Sequence, residues 1–151
     1  HQKYMQILSN LRKNARMPLT KMSKSLQIPV STIFDLIKRN EKKIITRHTC
    51  LIDFEKLGYS TRSTIFIKVK RQDKDEVRDY LIRHESINSL SRVNNGFDFM
   101  AEGVFKHIKD MEDFMEKVEG LFRIEDKKFY FIIDDLKREE FLVDLIASPT
   151  V

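Results

Sequence analysis

The sequence predicts an α+β chain in two parts, three helices first and then strands and helices in the order β-α-β-β-α-β. Three observations predict it. Apolar residues recur at helical spacing through the first forty positions and largely at strand spacing in the segments that follow. The stretch "NNG", residues 94–96, marks a hairpin in the second part, because Asn and Gly tolerate positive φ. Charge also changes sign along the chain. Residues 1–50 hold 11 Lys+Arg and 2 Asp+Glu, a net of +9; this leaves 17 of the 28 basic and 21 of the 23 acidic residues for the remainder, a net of −4.

The elements follow in order. Tyr4, Ile7, Leu8 and Leu11 form one face of a first helix. "NARMP" ends it, since Pro18 disfavours a helical residue before it. Leu19, Met22 and Leu26 mark a short second helix, with Thr20 as its expected cap. "QIP" interrupts, and Pro29 opens a third helix running to about Lys42, because its missing N–H has no partner in a first turn. Ile33, Leu36 and Ile37 face inward, with Val30 one turn earlier. In "KKIITRHTCLIDFEKLGY", Ile44, Ile45, Leu51, Ile52 and Phe54 suggest one or two short strands leading into a hinge, with Gly58 at the boundary.

In "STIFIKVK", Ile65, Ile67 and Val69 alternate with Phe66 and Lys68, as in a strand. Val77, Tyr80 and Leu81 predict a helix over 73–84. Strands over 87–94 and 97–105 flank the hairpin, the second with Phe97, Phe99, Ala101, Gly103 and Phe105 on one face. Ile108, Met111, Phe114, Met115, Val118 and Leu121 stripe a second helix, and 124–133 is the last strand. This order is the split βαβ, or ferredoxin-like, sandwich, with helices on one face of the sheet. Apolar residues fall on both faces of the first and last strands, so the other face needs a cover. A second copy of the same sheet is the simplest one, which predicts a homodimer. The tail "REEFLVDLIASPTV" carries Phe141, Leu142, Val143, Leu145 and Ile146, to pack on a partner subunit or on its own domain. The expected organisation is a helix-turn-helix domain over 1–45, a β-strand hinge over 46–60, the ferredoxin-like domain over 61–135 and a tail over 136–151.

Composition narrows the function. The longest apolar run, "FYFII", has five residues, far short of the roughly 20 a membrane helix needs. No secretory signal is visible, and the single cysteine, Cys50, excludes an intrachain disulfide; both fit a reducing, cytoplasmic setting. His1, His48, His84 and His107 adjoin no cysteine or acid cluster at metal spacing, so no metal or cofactor is expected. Neither a phosphate-binding glycine loop nor a G-x-S-x-G elbow occurs. Cys50 has no activating base nearby in sequence, which predicts a buried or inert thiol.

The first part fits double-stranded DNA. Segregated positive charge is the footprint of a module that meets a polyanion. Three helices with a tight connection between the last two make a helix-turn-helix, whose last helix lies in the major groove; a short helical bundle of another kind has the same apolar spacing. The candidate DNA-binding residues are Ser31, Thr32, Phe34, Asp35, Lys38, Arg39 and Lys42 on the third helix, with Lys21 and Lys24 on the second helix reaching the flanking backbone. Hydroxyls suit bases or phosphates, cations suit phosphates, and Phe34 suits a thymine methyl. Asp35 is an acid in the middle of this basic face. It either repels phosphates, accepts from a cytosine N4, or pairs with Lys38 or Arg39 on its own helix; the ion pair is the expected arrangement.

In order and length the chain resembles the Lrp/AsnC (feast/famine) transcriptional regulators over about residues 4–133. The resemblance rests on "ILSNLRKNARMPLTKMSKSLQI", "STIFDLIKRNE", "LIDFEKLGY" and "VNNGFDFM", of which the "KLGY" hinge is the most specific. It implies a sequence-specific DNA-binding regulator, a dimer that associates further to tetramers or octamers, and an amino-acid effector held around Asn94, Asn95, Gly96, Phe97 and Asp98. Several positions depart from the family pattern. Gln27 replaces the usual Gly of the turn, Pro29 the usual Ser, Asp35 and Leu36 a basic pair, Asn40 a Leu, and "KKII" a Gly-containing "EGVI". Asn95 stands where the effector loop has Gly, with Phe97 and Asp98 retained. The nearer alternative is a constitutive or architectural DNA-binding protein without an effector. A remote one is an enzyme similar to the siroheme decarboxylases, which resemble this fold and would require His84, His107 or Arg92 to line a tetrapyrrole cavity. A strongly basic first domain argues against that reading, since such an enzyme has no use for a DNA-facing surface.

Overall fold

A computed structural model describes residues 2–144. They form two compact units, one comprising residues 2–51 together with 136–144, the other Ile52–Asp135.

The first unit contains α1 (Gln2–Lys13), α2 (Leu19–Leu26) and α3 (Val30–Asn40). Its core is Ile7, Met22, Ile28 and Ile33, none more than 2% exposed, with Leu11, Met17, Leu19, Leu26, Leu36 and Ile37 packed around them. Prolines start two of the three helices. The carbonyls of Pro18 and Pro29 accept from Met22 and Ile33, each at 3.1 Å, while their rings fix φ for the entry. Thr20 therefore lies inside α2 rather than capping it. Between α2 and α3 the chain reverses at Gln27, whose φ of 56° is left-handed. The Ser23 hydroxyl donates to Ile28 O at 2.5 Å, and the turn drives Ile28 into the core. Val30 is 39% exposed and does not join the inward row.

Two expectations need correction next to this unit. The third helix stops at Asn40 rather than near Lys42, because the Lys43 and Ile45 amides both bond to Asn40 O. The expected strands in 46–60 do not form, because that stretch finds no ladder partner among the described residues. It has no regular secondary structure as far as a 3₁₀ turn, Phe54–Leu57, capped by Asp53 and ended by Gly58 at φ 92°. Only Glu41 and Ile45 form a bridge, just before it.

The tail belongs to the first unit and lies against α1. Arg12 Nε donates to Phe141 O at 2.6 Å and Arg12 Nη2 to Glu139 O at 2.9 Å, while the Ser9 hydroxyl, 8% exposed, donates to Val143 O at 2.8 Å. Lys13 faces Asp144 at 3.8 Å. Of the tail residues expected to pack, Phe141 is exposed, Leu142 and Val143 are half-buried, and Leu145 and Ile146 lie outside the described residues.

The second unit has β1 (Thr61–Val69), α4 (Lys74–Arg83), β2 (Ile87–Arg92), β3 (Phe99–Phe105), α5 (Ile108–Leu121) and β4 (Ile124–Phe131). All strand pairs are antiparallel, in the order β2-β3-β1-β4. Alternation sorts the two faces. Ile65, Ile67 and Val69 of β1 and Phe99, Ala101 and Phe105 of β3 are buried with Val77 and Leu81 of α4 and Met111, Phe114, Met115 and Val118 of α5. Ile108 and Leu121, at the ends of the α5 stripe, are each 55% exposed.

Phe97 precedes β3 instead of continuing its core row. It packs on Phe66 with ring centroids 5.6 Å apart, and Phe66 meets Tyr130 edge-on at 6.3 Å. These rings share the sheet's other face with Met100, which is exposed along with Tyr130. Phe129 and Phe131, on the helix side of edge strand β4, are also left exposed.

Gly103 is a packing position. A Cβ there would lie 2.5 Å from the Phe105 ring and 3.4 Å from Ile65 Cδ1. Gly103→Ala is expected to destabilise the second unit by about 1–3 kcal/mol through overpacking. Chemical denaturation checks it, and an unchanged midpoint would refute it.

An acid-sensitive link joins the sheet to the helix layer. Asp73, at the entrance to α4, accepts from the Arg123 guanidinium at 2.8 and 3.0 Å and from the Arg123 amide at 2.8 Å. These bonds hold its carboxyl well below the usual range, at about 2. Because the folded pKa is lowered, the link contributes its full stability above the unfolded value of about 3.9 and loses it as pH falls toward 2. Acid titration of thermal stability is expected to show this loss for the parent and a smaller one for Asp73→Asn.

Candidate nucleic-acid interface and effector loop

At about 100° per residue, Ser31, Asp35 and Lys38 lie opposite the Ile33 row of α3, with Thr32 and Arg39 on one shoulder; all five are exposed. Ser31 and Thr32 occupy the first turn, where a groove-inserted helix meets base edges. Lys21 and Lys24 are exposed on α2.

Two predicted residues fall elsewhere. Lys42 is past the helix end, in a turn, with φ 64°. Phe34, 51% exposed, is turned to the flank of α3. There it lines an open groove of about 350 Å³ with Leu11, Ala15, Met17, Leu19, Ile37, Lys38, Glu41 and His48.

Ion pairing sorts the basic surface. Of the 11 cations in residues 1–50, Arg12 and Lys13 pair with Glu139 and Asp144 of the tail. The other nine make no ion pair among the described residues: Lys3, Arg16, Lys21, Lys24, Lys38, Arg39, Lys42, Lys43 and Arg47. Lys3, Arg16, Lys43 and Arg47 were not among the sequence candidates; their signal is the lack of an acid at pairing distance, which only coordinates give. The expected Asp35 ion pair is also absent. Asp35 has no partner among the described residues, and Lys38 places its ammonium 5.6 Å from the Phe34 ring centroid instead. A cation–π contact one turn back has replaced it.

Two accounts of Asp35 are left, and its place on the outermost line of α3 favours contact with a base edge. Asp35→Ala is expected to relax preference at a single base pair by about 1–3 kcal/mol. Competition binding against a single-substitution operator series reads it. Uniformly tighter binding to every duplex would instead mean that the carboxylate repels phosphate.

In the second unit residues 93–98 join β2 to β3, and the candidate loop 94–98 lies within them. Asn95 and Gly96 both have positive φ, 67° and 99°. The loop is longer than a two-residue hairpin, closed by the Val93 amide on Asp98 O at 3.0 Å. Asn94, Asn95 and Gly96 are exposed, whereas Phe97 and Asp98 are tied inward. One Asp98 oxygen accepts the Val69 amide at 2.9 Å and the other faces Lys74 Nζ at 3.1 Å. Burial pushes the Asp98 pKa up, but the Val69 amide and Lys74 outweigh it and hold the carboxyl below its usual range.

His84 and His107 make contacts within the second unit. His84 packs between Tyr80 and Phe114, and its Nδ1 accepts the Ser86 amide at 3.1 Å. Burial pushes the His84 pKa down. The His107 amide donates to Asp110 at 3.1 Å at the start of α5, and Arg92 ends β2, exposed. Cys50 is exposed, so of the two states expected for it, buried or inert, it is not the buried one; the segment that carries it is exposed throughout residues 46–53. Among the described residues no cluster of His, Cys, Asp or Glu could hold a metal, and no helix is long and apolar enough to cross a membrane.

A family model described as the Lrp/AsnC ligand binding domain matches residues 63–141. The HTH-type transcriptional regulator FL11 of Pyrococcus furiosus is 28% identical over 120 residues, 79% of this chain and 80% of that protein. The uncharacterized HTH-type transcriptional regulator YugG of Bacillus subtilis is 26% identical over 145 residues, 91% of this chain and 87% of that one. Among solved structures, Bacillus subtilis LrpC superposes with a TM-score of 0.81 at 18% identity, over 91% of this chain and 96% of that one. A transcriptional regulator from Neisseria meningitidis solved as an L-Met complex superposes with a TM-score of 0.84 at 14% identity, over 91% and 92%.

Proposed function

Since this chain belongs to the Lrp/AsnC family, a family of helix-turn-helix transcriptional regulators, we propose that it is a sequence-specific DNA-binding regulator acting as a homodimer or a higher oligomer in the cytoplasm, without an enzymatic reaction of its own. The observation that carries this is the sorted charge of the first unit. Nine of the eleven cations in residues 1–50, Lys38 and Arg39 of α3 among them, make no ion pair among the described residues, while Arg12 and Lys13 of α1 are paired with acids of the tail. Unpaired surface cations have their strongest use as phosphate contacts, and Ser31, Thr32 and Asp35 then face the base edges.

The dimer forms through the open sheet face, where Phe66, Phe97, Met100 and Tyr130 leave apolar area that a second copy covers. Two recognition helices then enter successive major grooves, with half-sites about one helical turn apart. Selection of bound duplexes from a random library at physiological salt tests the reading. A palindromic consensus is expected, and recovery of no consensus would defeat it.

A small molecule such as an amino acid modulates binding from the loop 94–98; the Neisseria regulator with a similar fold, solved as an L-Met complex, supports a search among amino acids. The constitutive alternative draws on one observation: both oxygens of Asp98 are already engaged within the chain. A thermal-shift screen of the twenty amino acids separates the two. A midpoint shift with one of them supports modulation, and no shift leaves the constitutive regulator.

A further inference from the structure

We infer that the turn after α3, residues 41–45, together with Arg47, is a second DNA-contacting element that grips the phosphate backbone beside the groove α3 occupies. This rests on the DNA-binding reading above and deepens it.

The turn is built, not frayed. Asn40 O accepts from both the Lys43 and Ile45 amides, at 3.1 and 3.0 Å, and the Lys42 amide donates to Ile45 O at 2.8 Å. The Asn40 side chain donates to Leu36 O at 2.7 Å, closing the last turn of the helix. To make this closure Lys42 takes a φ of 64°, which is costly for a side chain with a Cβ. Glycine would serve the backbone better, so a lysine there calls for an account outside the backbone.

Its charges supply one. Lys42, Lys43 and Arg47 are exposed and have no ion-pair partner among the described residues. The only acid in the turn, Glu41, is engaged with His48 Nε2 at 3.4 Å. Three cations without an ion-pair partner among the described residues thus sit within six residues, Lys42 and Lys43 on a hydrogen-bonded turn that continues directly from the recognition helix and Arg47 two residues beyond it. The bonded turn matters, because a pre-ordered cation loses less freedom on meeting a phosphate. Phosphates carry no sequence information, so the element fixes register while α3 reads the bases.

The test compares three proteins on a selected duplex across a salt series. These are the parent, the triple variant Lys42→Gly, Lys43→Ala, Arg47→Ala, and a charge control, Lys109→Gln with Lys117→Gln on α5. Each lost phosphate contact lowers the slope of log K against log salt by about 0.9, so six cations in a dimer lower it by up to about 5. The triple variant is expected to show this fall with an unchanged consensus, and the control a parental slope. Lys42→Gly alone is expected to keep or raise the thermal midpoint while still lowering the slope, which separates binding from folding. A parental slope in the triple variant overturns the inference and leaves the regulator reading intact. A changed consensus also overturns it, because the turn would then be reading bases. If the parent itself prefers no sequence, the regulator reading fails first and takes this one with it.

Discussion

Ile33→Ala is expected to cost the first unit about 2–5 kcal/mol, the range for emptying a fully buried aliphatic site. Ile33 is 0% exposed and is the one fully buried side chain that α3 contributes. Among the described residues the core it joins has three other buried members, Ile7, Met22 and Ile28. A core this small holds only a few kcal/mol of net stability, so the loss is comparable with the whole. The second unit keeps its own cluster around Ile65 and Val77. The variant should therefore show early loss of helical circular dichroism and of DNA binding, with a later transition close to that of the parent. Amide hydrogen exchange separates the two, protection falling in α3 and persisting in β1 and β3. A single transition with a loss under about 1 kcal/mol would mean that α3 is held by something other than this core.

The second large effect is on ionic strength. Specific binding is expected to weaken by about 10³–10⁵ between 50 and 200 mM salt, the range for six to ten phosphate contacts. The nine cations of residues 1–50 that make no ion pair among the described residues put that number within reach of a dimer even if most of them miss the backbone. Fluorescence anisotropy on a labelled duplex measures it. A loss smaller than tenfold would mean that these cations face solvent and that the basic unit serves another purpose. Arg12→Gln is a useful contrast. Its guanidinium is already committed to Glu139 and Phe141 O, so its removal should loosen the tail and leave the salt slope nearly unchanged.

Much of this architecture was legible in the sequence, because each signal was local. Five helices and four strands follow from apolar spacing, and the Asn95–Gly96 reversal from the chemistry of positive φ. What was misread depended on distant partners or on competing local bonds. Ile44, Ile45, Leu51 and Ile52 look like strand residues, yet a strand needs a neighbour to receive its amides. Asn40 ends α3 early by accepting two amides from the turn beyond it. Phe97 continues the core alternation on paper but packs on Phe66, a contact across the strands. Asp35 has cations at i+3 and i+4, yet Lys38 meets the Phe34 ring instead. The free or neutralised state of each cation depends on acids more than a hundred residues away, as with Arg12 and Glu139. No window of sequence shows that.

The return of the tail to α1 has a consequence for the order in which the protein is made. The Ser9–Val143 bond spans 134 residues. The helices up to Leu51 leave the ribosome first, and the segment that caps Ser9 and Arg12 comes 93 residues after Leu51, counted to Asp144. At about 5–20 residues per second that is a wait of roughly 5–20 s. During it the young helical unit has its full positive charge and none of its late acids. An N-terminal fragment ending at Leu51 would stay in this condition permanently, more basic and with Ser9 uncapped. Such a fragment is expected to bind any polyanion more readily, and to melt lower, than the same helices in the finished chain.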